Sequence, residues 1–175
     1  MRLFIGYYPP DTVVDYIHSI EENLRDKSIK ANYSAKQNLH ITFRFLGEVE
    51  AHKVSDIKSV LDNYKNLDIN LELKKAGFFN KSQNSAIWVG LNGELKKLED
   101  TVYKLNDDLE NIGFEKENRK FKPHITIARK FNVLDNYNLE ALNNISIENM
   151  SFNIGEINLI KSTLTPNGPI YEVIY

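Results

Sequence analysis

Apolar and polar residues alternate with a period of two along Leu39-His40-Ile41-Thr42-Phe43-Arg44-Phe45-Leu46, and again along Pro123-His124-Ile125-Thr126-Ile127. That period predicts two half-buried strands. In the first, Leu39, Ile41, Phe43 and Phe45 take one face while His40, Thr42 and Arg44 take the other. In the second, Ile125 and Ile127 face the core while His124 and Thr126 point away. Each strand therefore offers an imidazole and, one pleat further on, a hydroxyl on the same side. The two strands are expected to face one another across a cleft.

Around these stretches the pattern predicts a mixed order of elements. Arg2 to Tyr8 reads as a strand stopped by Pro9-Pro10, and Asp11 as the N-cap of a helix whose stripe is Val13, Ile17, Ile20 and Leu24. Lys27 to Asn38 reads as a polar connector. A second helix is expected from about Ala51 to Tyr64, with Val54, Ile57, Leu61 and Tyr64 inward. Ile69–Phe79 and Ala86–Leu91 read as strands joined by a turn at Asn80–Asn84, with Trp88 as core or sheet-face packing and base stacking as its alternative. Asn92 or Gly93 opens a helix carrying Leu95, Leu98, Val102, Leu105, Leu109 and Ile112, and Gly113 ends it. Strands follow at 145–152, 154–164 and 170–174, with a turn at Thr165–Pro169. Strands and helices mixed without regular βαβ alternation point to an α+β fold with mainly antiparallel sheets. The repeat points to an internal duplication, two intimate lobes within one domain spanning residues 1–175.

Composition narrows the picture modestly. With 42% apolar and 26% charged residues the chain has the make-up of a globular protein, and a net charge of −2 speaks against a bulk nucleic-acid coat while allowing a local basic cleft. There is no cysteine, which excludes disulfides and thiolate chemistry. No apolar run approaches a membrane span, and the first residues read as a strand rather than a secretion signal, so the expected location is the cytoplasm.

Two histidines with two hydroxyls suit phosphoryl transfer without a metal or other cofactor. One imidazole takes a proton from the attacking oxygen, the other gives one to the leaving oxygen, and the threonines donate to the non-bridging oxygens. A catalytic zinc wants three protein ligands, and threonine is a poor one. Arg44 and Arg129 can each grip a phosphate with two parallel hydrogen bonds. Lys36, Arg119, Lys120, Lys122 and Lys130 flank the two strands as a candidate basic rim for an RNA backbone. An aromatic near Phe4, Tyr7, Tyr8 or Phe45 can stack on a terminal base. His18 and His52 read as surface residues.

LHITFRFLGEV at 39–49 and FKPHITIAR at 121–129 resemble the two signature motifs of the 2H phosphoesterase superfamily, and within it the RNA 2′,3′-cyclic phosphodiesterase, or 2′-5′ RNA ligase-like, branch. RLFIG near the start, and Ser162-x-Leu164 with Gly168-Pro169-x-Tyr171 near the end, extend the likeness from residue 2 to about residue 171. The resemblance implies a bilobal fold with a pseudo-twofold axis and a central cleft. It also implies metal-free opening of a terminal 2′,3′-cyclic phosphate to a 2′-phosphate; separately, a monomer is expected. His40 becomes the acid to the 3′ oxygen, His124 the base to water, and Thr42, Thr126 and Arg129 the phosphate ligands. Run backwards, the same site would join 2′,5′ ends as a secondary activity. The alternatives are hydrolysis of ADP-ribose cyclic phosphate or another small cyclic nucleotide, and an RNA-end binding module without turnover.

Overall fold

The computed structural model describes residues 1–79, 85–134 and 138–175; the turn expected at Asn80–Asn84 lies outside them. Among the described residues nine strands form one antiparallel sheet. They are β1 (Arg2–Tyr7), β2 (Ser28–Tyr33), β3 (Ile41–Glu48), β4 (Ile69–Phe79), β5 (Ser85–Gly93), β6 (His124–Val133), β7 (Ser151–Ile154), β8 (Asn158–Thr165) and β9 (Gly168–Val173). Three helices accompany them: α1 (Asp11–Arg25), α2 (Val54–Leu61) and α3 (Leu95–Asn111). The strand order is β7-β4-β5-β6-β3-β1-β8-β9, with β2 as a further partner of β6.

The helices form where apolar residues recur at three- and four-residue steps, because that spacing gathers them on one stripe. In α1 the buried set is Val13, Val14, Ile17, Ile20, Glu21 and Leu24, and in α3 it is Leu98, Val102, Leu105 and Leu109. α1 lies against β2 and β6, and α3 against β3 and β4. One face of the sheet is thereby covered, and Ile5, Ile41, Ile87, Val89, Ile125 and Ile127 are fully buried beneath the helices. Gly113 ends α3 as its sequence position predicts. It takes a positive φ of 88°, and the N–H groups of Gly113 and Phe114 close onto the carbonyls of Glu110 and Leu109.

Several local expectations are corrected. Asp11 is the first helical residue of α1 and not its cap: Pro10 holds that position, its carbonyl accepts from the N–H groups of Val13 and Val14, and Asp11 contributes only a negative charge to the first turn. The helix expected from Asn92 begins at Leu95, because Asn92 and Gly93 complete β5. The polar connector at 27–38 contains β2, whose partner β6 is far away in sequence. The strand expected at 145–152 is reduced to β7, preceded by a 3-10 turn at Leu139–Asn144.

The sheet repeats a unit. The series β1–α1–β2–β3 and the series β5–α3–β6 each lead from a strand through a helix to a motif strand, the first with β2 interposed, and the two motif strands meet at the centre. β3 and β6 pair at a single position, Ile41 opposite Ile125. From there they diverge, and β2 takes over beside β6 at Ala128 and Arg129. The divergence opens a cleft on the face that no helix covers.

Candidate active site

The cleft has a volume of about 520 Å³, and its walls include Asn38, His40, Thr126, Arg129, Lys130 and Tyr171. The antiparallel bridge between Ile41 and Ile125 sets His40 on the Thr126 side and Thr42 on the His124 side. The structure thus brings the two His-x-Thr stretches together around a local twofold relation.

Both imidazoles are oriented by the same backbone device. Nδ1 of His40 donates to the carbonyl of Asn38, and Nδ1 of His124 donates to that of Lys122, each at 2.6 Å and each two residues upstream. With the proton held on Nδ1, the neutral ring leaves Nε2 as the acceptor. At His40 that nitrogen meets the Thr42 hydroxyl at 3.0 Å. The carbonyl under His40 is itself braced, because the Asn38 side-chain amide donates to the carbonyl of Pro169 at 2.8 Å. A carbonyl is supplied by any residue, so no side-chain pattern announces this arrangement.

The strands do not alternate throughout, and this decides which arginine reaches the cleft. On β3, Thr42 lies opposite Gly6 but Arg44 lies opposite Ile5. One extra residue at Phe43 forms a bulge, so Phe43 and Arg44 both turn inward and Phe45 turns to the cleft face. Arg44 is buried at 8% exposure, donates to the carbonyl of Glu115 and pairs with the Glu117 carboxylate at 3.3 Å. The expectation that Arg44 shares the face of His40 is therefore corrected. It ties the first motif strand to the loop that leads into the second.

β6 carries the matching bulge. Thr126 lies opposite Trp88 and Ala128 opposite Ile87, so Ile127 and Ala128 are both buried and Arg129 turns to the cleft. An arginine five residues beyond His124 would lie on the wrong face of a regular strand; the bulge puts it on the right one. A second irregularity follows at once, where Ser85 pairs with Phe131 and Lys130 takes a φ of 51°. Two consecutive cations, Arg129 and Lys130, consequently line the cleft. A lysine in the left-handed region is strained. Lys130→Asn is expected to raise stability by about 1 kcal/mol in thermal melts, while raising KM for an anionic substrate.

The other members of the expected rim are placed elsewhere. Lys36 pairs with Asp15 and lines a neighbouring groove with Tyr8 and Gln37. Arg119 bonds Glu117, and Lys120 and Lys122 are exposed on the loop before β6. Of the aromatics, Phe4 and Tyr171 pack around the His40 ring with centroids 4.9 and 5.2 Å away, and Tyr8 lies at 6.1 Å. Tyr7 turns to the opposite side, stacks on Phe152 and donates to the carbonyl of Asn153. His18 faces Glu21 and Glu22, and His52 faces Glu50, on the protein surface away from the cleft. Among the described residues no group of three His, Cys, Asp or Glu side chains is placed to hold a metal ion, and no helix is long and apolar enough to cross a membrane.

Burial lowers the pKa of both histidines below the ordinary 6.5. The upstream carbonyls oppose that shift, while Arg129 adds to it at both rings and His124 adds to it at His40. The unfolded chain therefore takes up protons near pH 6.5 that the folded chain refuses, so the unfolded state binds more protons in that window. Stability from these groups is full above about pH 6.5, falls as the pH drops towards the lowered folded values, and is constant below them. A Tm that falls from pH 7 to pH 5, with a smaller fall in the His40→Gln/His124→Gln double variant, is the expected result.

Comparison with known proteins agrees with this geometry. The model of the LigT-like phosphoesterases matches twice, at residues 8–88 and 89–171, one match for each half of the chain. The RNA 2′,3′-cyclic phosphodiesterase of Methanocaldococcus jannaschii is 37% identical, over 99% of this chain and 98% of its own. The protein of the same name from Thermotoga maritima is 31% identical, over 100% and 94%. Among solved structures, Escherichia coli LigT complexed with 3′-AMP superposes with a TM-score of 0.78 at 23% identity, covering 99% of this chain and 95% of that one, which is a likeness of fold. Two half-chain matches, and relatives aligned end to end above 30% identity, show that the chain belongs to the LigT-like phosphoesterase family, the 2H phosphoesterases.

Proposed function

We propose that the protein is an RNA 2′,3′-cyclic phosphodiesterase that opens the terminal ring to a 2′-phosphate by paired histidine catalysis. The observation that carries the reading is the pair of Nδ1-anchored imidazoles, each sharing its strand with a threonine two residues on, with the charge of Arg129 felt at both. His124 takes a proton from water as the water attacks phosphorus. His40 gives a proton to the departing 3′ oxygen, the P–O3′ bond breaks, and the 2′ ester remains. The hydroxyls of Thr42 and Thr126 and the guanidinium of Arg129 hold the non-bridging oxygens through the displacement.

His40 must hold a proton to act as the acid, yet burial first, and the charge of Arg129 after it, disfavour one. A bound cyclic phosphate is an anion that offsets the arginine charge, so the substrate removes that part of the penalty and leaves the part due to burial. With Lys36 and Arg119 turned to Asp15 and Glu117, the cleft offers Arg129 and Lys130 to the phosphate. That supports recognition of an RNA end rather than of a long backbone tract. Joining 2′,5′ ends would use the same groups in the same roles, with a 5′-hydroxyl in place of water: His124 takes its proton, the P–O3′ bond breaks and His40 protonates O3′.

The test is a short RNA ending in a 2′,3′-cyclic phosphate, incubated with EDTA, with the 2′- and 3′-phosphate products resolved. The 2′-phosphate is expected. A 3′-phosphate would reverse the choice of leaving oxygen. Binding without any product would leave a module for RNA ends.

A further inference from the structure

The face of the sheet beside His124 carries an aromatic surface that phosphate chemistry does not explain. Trp88 lies opposite Thr126, and Gly90 lies opposite His124, so both share the cleft face with the second motif. Across the other edge of β5, Gly77 lies opposite Trp88. A Cβ built on Gly77 would stand 2.5 Å from Cη2 of Trp88, and one on Gly90 would stand 3.0 Å from Cζ3. The indole is therefore laid down over two backbone positions that have no side chain. Phe79 flanks it, with ring centroids 5.2 Å from Trp88 and 5.0 Å from His124.

Packing alone accounts poorly for this arrangement. The helices cover the opposite face, and both Trp88 and Phe79 stay partly exposed. Two glycines in strand interiors weaken the sheet, and the buried Nε1 of Trp88 has no hydrogen-bond partner. The corresponding aromatics of the other half are already engaged, since Phe4 is 2% exposed and Tyr171 stands edge-on to the His40 ring. Phe45 is open on the His40 side, and the π surface backed by glycines is on the His124 side.

Resting on the phosphodiesterase reading, we propose that Trp88, seated on Gly77 and Gly90 and flanked by Phe79, is a stacking platform for the nucleobase of the terminal nucleotide. A base has a flat π face of its own, so stacking is tolerant of sequence and needs no hydrogen-bond readout. The platform adds affinity for a nucleotide over a bare sugar phosphate, and places the ring phosphate beside His124.

Trp88 is the single tryptophan of the chain, so its fluorescence reports the contact directly. Titration of the wild type with 2′-AMP is expected to quench the emission, whereas inorganic phosphate and the 2′-phosphate of methyl riboside leave it unchanged. In turnover, Trp88→Ala is expected to lower kcat/KM for 2′,3′-cyclic AMP by roughly 10- to 100-fold, mainly through KM. For methyl riboside 2′,3′-cyclic phosphate it should change little. Gly77→Ala, whose Cβ collides with the indole, should imitate that loss, and Trp88→Phe should recover part of it. Equal losses on both substrates would reduce Trp88 to packing against His124 and overturn the proposal. Absence of quenching at saturating 2′-AMP would do the same, with no variant needed. Loss of discrimination on Phe45→Ala, with Trp88→Ala silent, would move the base to the other half of the cleft. Quenching by 2′-AMP in a wild type that cleaves neither ester would keep the platform and remove the catalytic reading. Cleavage of both esters at equal kcat/KM, without quenching, would do the reverse.

Discussion

His40→Ala and His124→Ala are each expected to lower kcat for a 2′,3′-cyclic phosphate end by about two to four orders of magnitude. The measurement is single-turnover hydrolysis in EDTA, with circular dichroism confirming that both variants stay folded. The effects should not add. Proton removal from water and proton delivery to the 3′ oxygen belong to one displacement, so losing either group forfeits most of what both supply. A double variant close to the worse single variant is the expected signature. Full activity in both single variants would sink the paired-histidine mechanism. Burial lowers the pKa of both rings, and their mutual repulsion makes a proton on one disfavour a proton on the other.

The second large effect separates two arginines that the alternating pattern treats alike. Arg129→Ala, at an exposed position in the cleft, is expected to change stability by less than about 0.5 kcal/mol. It should reduce kcat/KM roughly 10- to 100-fold through loss of charge-assisted bonds to phosphate. Arg44→Ala should do the opposite and destabilise the fold by about 2–3 kcal/mol. Its removal opens space in the core and leaves the Glu115 carbonyl and the Glu117 carboxylate without their partner. The figure is moderate because Glu117 is a quarter exposed and keeps Arg119. Arg44→Met, which fills the space without a charge, should recover part of the loss. Urea denaturation and steady-state kinetics on the same preparations decide the matter. Activity lost in Arg44→Ala with unchanged stability would return Arg44 to the cleft.

The exchange of roles between these residues shows where a one-dimensional reading stops. Period-two alternation assumes a regular strand, and a bulge resets it at a cost too small to leave a mark in composition. At Phe43 and again at Ile127 one extra residue reverses the faces downstream, sending Arg44 inward and Phe45 and Arg129 outward. The two bulges fall at equivalent points of the repeat, so the halves share an irregularity as well as a motif. β2 escaped the pattern for a related reason: it lies in a polar stretch and depends on pairing with β6, almost a hundred residues away.

From the sequence alone followed the helices, whose apolar stripes are local periodicities, together with the duplicated His-x-Thr strands and the α+β class. So did the chemistry that two imidazoles and two hydroxyls can perform, because those are properties of residue types and short spacings. Tertiary structure alone decided which cations face the cleft, which carbonyls orient the histidines, and where a flat indole lies open beside them. Each of these depends on strand register and backbone approach between distant segments, and such quantities are settled only when the whole sheet closes.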